Sequence, residues 1–312
     1  MPSSPATVAA ASLPRPLLSR RARELLTGYV YLIPVAVCLG GTILFPILKA
    51  MHMSLYHHVL FKPKEYGFIG LGNYRRLLAD ETFWLTLWNS FVWVFGSVGF
   101  QFLGGFAAAL LLHQSFRGRA FVRTVTLLPW IVPGVVVALV WEWLYQPNYG
   151  VLNDLLLRLG WLKDRVAWLS DPSLAMPAVI ATNVWRGVPF FAIMLLAGLQ
   201  AIPDELYEAA RVDGASVLQR FRHVTLPLLR PIIIVATATR VIWTFNYADL
   251  IFVMTSGGPA NATQITSTYT LVTAYSTLDF GYAATLSVVL LVIMLVFTVL
   301  YLRVTRGIES AA

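Results

Sequence analysis

Charge is what this sequence has least of. Asp, Glu, Lys and Arg make up 12% of its 312 residues while 58% are hydrophobic, against about 25% and about 45–50% in an ordinary soluble domain. So little polar side-chain material excludes a soluble globule. Cysteine is nearly missing too. The single Cys38 permits no internal disulfide and no cysteine-based zinc site, and within its apolar run it reads as a small buried hydrophobe. No Gly-Lys dipeptide occurs, so there is no Walker A loop with which to cradle ATP. His52, His57 and His58 cluster beside the end of an apolar run without neighbouring Asp or Cys, which argues against a metal site. No Ser–His or Cys–His pair offers a nucleophile with its base, so no catalytic residue is expected.

What is present is a series of runs free of charge and histidine, at 25–48, 82–112, 124–141, 187–203, 250–278 and 280–302. A bilayer span needs about 20 apolar residues. When single interruptions by Arg186, Arg240 and Asp249 are tolerated, the pattern predicts six helices at roughly 26–48, 84–111, 123–145, 174–199, 231–254 and 281–302. The expected fold is therefore all-α, a polytopic membrane protein with six transmembrane helices. Residues 1–24, rich in Pro, Ser, Ala and Arg, read as a disordered basic tail, 25–306 as the spanning domain and 307–312 as a second tail. The first apolar run has 24 residues, longer than the ~7–15 of a signal peptide, so it reads as an uncleaved span.

The formal net charge of +8 is not a nucleic-acid signal, because the basic residues flank apolar runs rather than gathering on one face. With the N-terminus inside, the inner segments carry 13 Lys and Arg and the outer loops 8. That bias favours both termini in the cytoplasm, although five of the eight sit in the first outer loop. Trp130, Trp141, Trp143, Trp161, Trp168 and Trp185 lie near expected span ends, where interfacial aromatics collect.

The inner segment 201–230 is the most informative. Pro203, Asp204 and Glu205 suit the first turn of a helix, and Asp213-Gly214 suits its end. Ser216 and Gln219 form a capping-box pair that opens a second short helix, expected to stop before Pro227. With four acids and four arginines, this helix–Gly–helix unit reads as a rigid knob on the inner face. Either it docks into a soluble partner or its charges are simply solvated.

The residues themselves carry a resemblance. Glu208-Ala209-Ala210, then Gly214, then Val224-Thr225-Leu226-Pro227 at the spacing E-A-A-x3-G-x9-I-x-L-P is similar to the loop motif of binding-protein-dependent ABC importer permeases, with Val224 replacing the Ile. Gly70-Leu71-Gly72-Asn73-Tyr74, Phe83-Trp84, Asn89, Leu128-Pro129, Pro133, Gly257-Gly258-Pro259 and Asp279-Phe280-Gly281-Tyr282 extend the resemblance to the carbohydrate-uptake branch, the maltose and glycerol-phosphate type. The C-terminal 303–312 lacks the Gly-Ala-Lys-Gly ending common in second permeases of such pairs, which favours the first-permease role.

The resemblance implies a type I ABC importer permease fold, and it implies that Glu208, Ala209, Ala210, Asp213 and Gly214 couple to ATPase subunits. It further implies substrate-path residues on the spans flanking the loop: Asn183, Arg186, Gly187, Phe190, Phe245, Asn246 and Asp249. Amides there would hydrogen-bond hydroxyls, aromatics would cover apolar sugar faces and Gly would make room. The implied partners are a second permease in a heterodimer, two ATPase subunits, an extracytoplasmic solute-binding protein, a sugar or related solute and membrane lipid. The chain itself binds no cofactor on this reading, since ATP and Mg sit on the ATPases, and the setting is a bacterial inner membrane. An ion-coupled secondary transporter and a membrane enzyme are the alternatives. Arg240 and Asp249, about 13.5 Å apart if on one helix, each need a partner elsewhere.

Overall fold

The computed structural model describes residues 20–309, which fall into two units, 1–49 and 50–312. Most of the expected N-terminal tail and residues 310–312 lie outside the described residues. Residues 20–24 are helical rather than tail, as their Arg, Ala and Glu composition allows. Residues 307–309 likewise belong to the last helix.

The first unit holds α1 (Arg20–Leu39), which continues through a π turn (Gly40–Leu44) into α2 (Phe45–Met53). Its apolar side chains from Tyr31 onward are exposed, Cys38 among them, which corrects the expectation that this thiol is buried. A helix with an apolar surface all round suits lipid, where backbone groups must be satisfied within the helix.

In the second unit, β1 (Tyr56–His57) pairs antiparallel with β2 (Gly67–Phe68), and Val59 bridges Asp279, small departures from an all-α fold. There follow α3 (Gly72–Leu78), α4 (Glu81–His113), α5 (Arg119–Ile131), α6 (Gly134–Leu144), α7 (Val151–Arg158) and α8 (Pro172–Gln200). Then come α9 (Asp204–Val212), α10 (Val217–Arg220), α11 (Leu226–Asn246), α12 (Asp249–Thr255), α13 (Thr266–Tyr275) and α14 (Phe280–Glu309).

Among the described residues, five stretches are long and apolar enough to cross a membrane, or six if α5 and α6 count as one. The expected single helix 123–145 is thus corrected: its two halves meet at 94°. Pro133 is the cause, for it has no N–H to donate and drives Val132 into the extended region before α6 restarts. The fifth span, expected over 231–254, is also broken, between Asn246 and Asp249. At its other end the second short helix of the loop does not stop at Pro227. A π turn (Phe221–Thr225) carries α10 into α11, with Leu226 N–H reaching the Phe221 carbonyl. The same device, five π residues, one residue and a proline, precedes Pro46. Widening the turn removes the clash and the missing bond that proline would impose on an α-helix.

The core is built on α4 against α8. Gly105 lies so close to α8 that a Cβ there would meet Phe191 Cβ and the backbone at Val188 and Ala192, the close approach that small residues permit between membrane helices. Trp93, fully buried, donates its Nε1 to the Thr244 carbonyl of α11 at 3.0 Å. At the end of the molecule remote from α9 and α10, a polar clamp ties the loops together. Arg76 pairs with Asp279 at 2.7 Å and lies over the Tyr282 ring. Asp80 caps α4 and accepts from the hydroxyls of Tyr269 and Tyr282 at 2.7 and 2.5 Å. Asn73 donates to the carbonyls of Ser54 and Tyr56, and Asn89 to those of Asn261 and Gln264. Asn73 of the 70–74 motif and the motif residue Asn89 on α4 thus both fasten backbone.

Candidate functional site

The first candidate region is the 201–230 loop. Helix α9 ends in a Schellman motif: Gly214 at φ +75° donates to Arg211, and Ala215 to the Ala210 carbonyl at 2.9 Å. Ser216 and Gln219 then cap α10 reciprocally, at 2.7 and 3.4 Å. With both helix ends closed, the turn at 213–216 has a single shape. Tyr207 reaches Thr225 at 2.9 Å and Phe221 packs edge-on against Phe106, so the knob is fixed to α4 and α11. Its tip carries Val212, Val217 and Leu218, exposed by 88%, 73% and 73%, between Glu208, Asp213 and Arg220.

Between the knob and the ends of α4 and α8 lies a cavity of about 1010 Å³, open enough to be lined by Val217 and Leu218 of the knob as well as by Leu110, Leu199, Tyr207 and Phe221.

The second region is a cavity of about 410 Å³ bounded by Trp130, Arg186, Arg240, Ile242, Trp243, Thr244, Asn246 and Tyr247. The two helix breaks meet at its edge, where a Cβ on Gly134 would strike the Tyr247 hydroxyl. Arg186 lies over the Tyr247 ring at 4.9 Å. Arg240 is 5% exposed and donates Nε to Gln101 Oε1 at 2.7 Å. Three aromatic faces, an amide and two guanidiniums make a wall suited to a polyhydroxylated solute. No carboxylate lines this cavity among the described residues. None of the described His, Cys, Asp and Glu side chains gather in threes as a metal site.

Residues 101–310 match the family described as "Binding-protein-dependent transport system inner membrane component". The chain belongs to this family. It is 40% identical over 285 residues, 91% of this chain and 95% of the relative, to the trehalose/maltose transport system permease protein MalF of Thermococcus litoralis. It is 36% identical over 281 residues, 90% of this chain and 91% of the relative, to the sulfoquinovosyl glycerol transport system permease protein SmoG of Agrobacterium fabrum. A chain of a solved bacterial ABC transporter that imports the acidic polysaccharide alginate superposes with a TM-score of 0.80 at 26% identity, over 92% of this chain and 96% of that one.

The fold is that of a type I ABC importer permease, and the chain is a membrane transport subunit, not an enzyme. Family membership leaves the ion-coupled carrier and the membrane enzyme without support.

Of the permease's expected path residues, the cavity brings together Arg186 and Asn246, the latter exposed with its amide donating to the Ile242 carbonyl. Asn183, Gly187, Phe190 and Phe245 are buried outside its lining. Phe190 packs between Trp130, Trp243 and Phe191, and Phe245 against Phe91. Asp249 is exposed on the first turn of α12 and does not line the cavity. Arg240 does find its partner on another helix. The expected coupling residues Glu208, Ala209 and Ala210 lie on α9, with Asp213 and Gly214 at its end. Gln101, Trp243 and Tyr247 escaped sequence reasoning, and Trp130 was read only as an interfacial aromatic. Gln101 carried a usable signal, an amide deep in the apolar run 82–112.

Proposed function

We propose that this permease forms half of the translocation path for a sugar or related polar solute and receives the work of ATP hydrolysis through the 201–230 loop. The observation that carries the proposal is the knob: both helix ends are capped, its turn is rigid, and its exposed apolar tip is ringed by charge. Such a surface suits a groove on a soluble partner, and the family's spacing E-A-A-x3-G falls on it. On this reading Glu208, Ala209, Ala210, Asp213 and Gly214 seat in an ATPase subunit. The assembly comprises a second permease, two ATPase subunits holding ATP and Mg, and an extracytoplasmic solute-binding protein, the last in keeping with the family's description. The membrane is the bacterial inner membrane, with both termini cytoplasmic as the Lys and Arg bias favours.

The sugar class rests on the aromatic and hydrogen-bonding cavity wall and on the names of the relatives. Rigid-body rocking around that cavity would alternate its access. The test is uptake into proteoliposomes holding the assembled complex, internal ATP and external binding protein, with labelled maltose, trehalose, glycerol 3-phosphate and an alginate oligosaccharide. ATP-dependent accumulation of at least one is expected. Accumulation of none of the four would overturn the assignment.

A further inference from the structure

A solute of the proposed kind meets few polar groups in the 410 Å³ cavity, and the most constrained of them is Arg240. Its guanidinium carries five N–H donors in a rigid fork. One, Nε–H, is taken by Gln101 Oε1 at 2.7 Å. No carboxylate pairs with Arg240 among the described residues; its side chain borders the cavity, and its Nη2 lies beside Gly187.

Gln101 is fully buried on α4, and its other end is committed too, since Nε2 donates to the Asn183 carbonyl of α8 at 2.9 Å. Both ends of the amide are therefore fixed, and with them the rotation of the arginine. The assembly fits only because position 187 is glycine. A Cβ there would collide with Gln101 Cδ and Nε2 and with Arg240 Nη2.

Three helices thus converge on one guanidinium: α4 supplies the clamp, α8 the anchor and the empty slot, and α11 the arginine. A helix-packing role alone would be served by an apolar side chain at much lower cost in the membrane. What the arrangement adds is orientation.

We propose that Gln101 is a positioning residue that aims the free edge of Arg240 into the solute cavity, and that Gly187 is the slot which permits it. This deepens the transport reading and rests on it. The guanidinium edge hydrogen-bonds the solute as it passes, and Gln101 acts only through the arginine.

The test uses the complete complex, two permeases, two ATPases and the binding protein, in proteoliposomes, with whichever of maltose, trehalose, glycerol 3-phosphate and alginate oligosaccharide the wild-type complex accumulates. Solute moved per ATP hydrolysed is compared for Gln101→Leu, Gln101→Glu, Arg240→Lys and the Gln101→Leu/Arg240→Lys double variant. Gln101→Leu should lower uptake per ATP roughly tenfold, the scale of one hydrogen bond to a charged group. Complex assembly and ATPase stimulation by the binding protein should stay at wild-type level. Arg240→Lys keeps the charge but not the fork, so it should lose as much, and the double variant should fall no further than either single one. Gln101→Glu keeps an acceptor for the arginine Nε–H but sets its second oxygen against the Asn183 carbonyl, so it should recover only part of the uptake.

Wild-type coupling in Gln101→Leu, additive losses in the double variant, or a parallel loss of assembly and ATPase stimulation would each overturn the positioning role. Failure of the wild-type complex to accumulate any of the four solutes would instead remove the transport reading beneath it.

Discussion

Single residues decide the cavity wall, and their partners explain which parts of it the sequence reveals. Arg186 and Arg240 stand out in any reading because charge inside a span is costly, and the need for an off-helix partner for Arg240 follows from its isolation. That the partner is Gln101 does not follow: Thr86, Asn89, Ser90, Ser97 and Gln101 recur at helical spacing and mark the buried face of α4, but not which helix that face meets. For the same reason Asn183, Phe190 and Phe245 could not be told apart from lining residues, although they are buried in contacts between helices.

Gly187→Ala, although outside the cavity lining, should therefore act on the cavity through its neighbours. Its methyl group must displace Gln101 and Arg240, so solute uptake should fall well below wild type while the complex, isolated by affinity purification, retains its subunits.

At the opposite pole, burial pushes the Asp80 carboxyl up, but hydrogen bonds from Tyr282, Tyr269 and the N–H groups of Phe83 and Thr82 outweigh it and hold the group below its ordinary value of 3.8. A depressed carboxylate contributes stability that is complete above that ordinary value and is lost as pH falls through the depressed one. Asp80→Asn should lower the melting temperature of the detergent-solubilised protein at pH 7, and the gap from wild type should narrow at pH 3. An equal gap at both pH values would contradict this account of the clamp.

Elements were legible where local chemistry closes on itself. The end of α9 at Gly214 and the capping box opening α10 were readable because both motifs use residues within a few positions of each other. The bend at Pro133, the gap after Asn246 and the passage of helix through Pro227 were not. Proline announces a disturbance without saying whether the chain will stop, turn by 94° or widen into a π turn, and that choice depends on what packs beside it. At Pro133 the start of α6 is held against Tyr247, whereas at Pro227 the helix is held along α8.

Gly214 offers an element-scale prediction. Open space surrounds it, so a side chain has room, and the damage from Gly214→Asp lies in the left-handed backbone, about 1–2 kcal/mol, and in a new charge on the knob. ATP-dependent uptake should drop by about an order of magnitude while the amount of the chain in the membrane, read by immunoblot, is unchanged. Normal uptake would remove the loop from the coupling route.

Across the whole molecule, the scarcity of charge correctly indicates a membrane protein with several spans, and the few charges present do specialised work. Eight lie in the 201–230 loop, others fasten the clamp of Arg76, Asp80 and Asp279, and two line the cavity of about 410 Å³. A chain without a phosphate-binding loop must take its energy from elsewhere, and a rigid knob at one end with a walled cavity along the spans is a means of delivering it.

The most direct test of that claim compares solute entry in two preparations of liposomes, one holding this chain alone and one holding it with its second permease and ATPases, each with ATP, binding protein and an imposed ion gradient. The account predicts accumulation only in the complete assembly, undiminished when ionophores collapse the gradient. Gradient-driven uptake by the chain alone, abolished by the same ionophores, would contradict it.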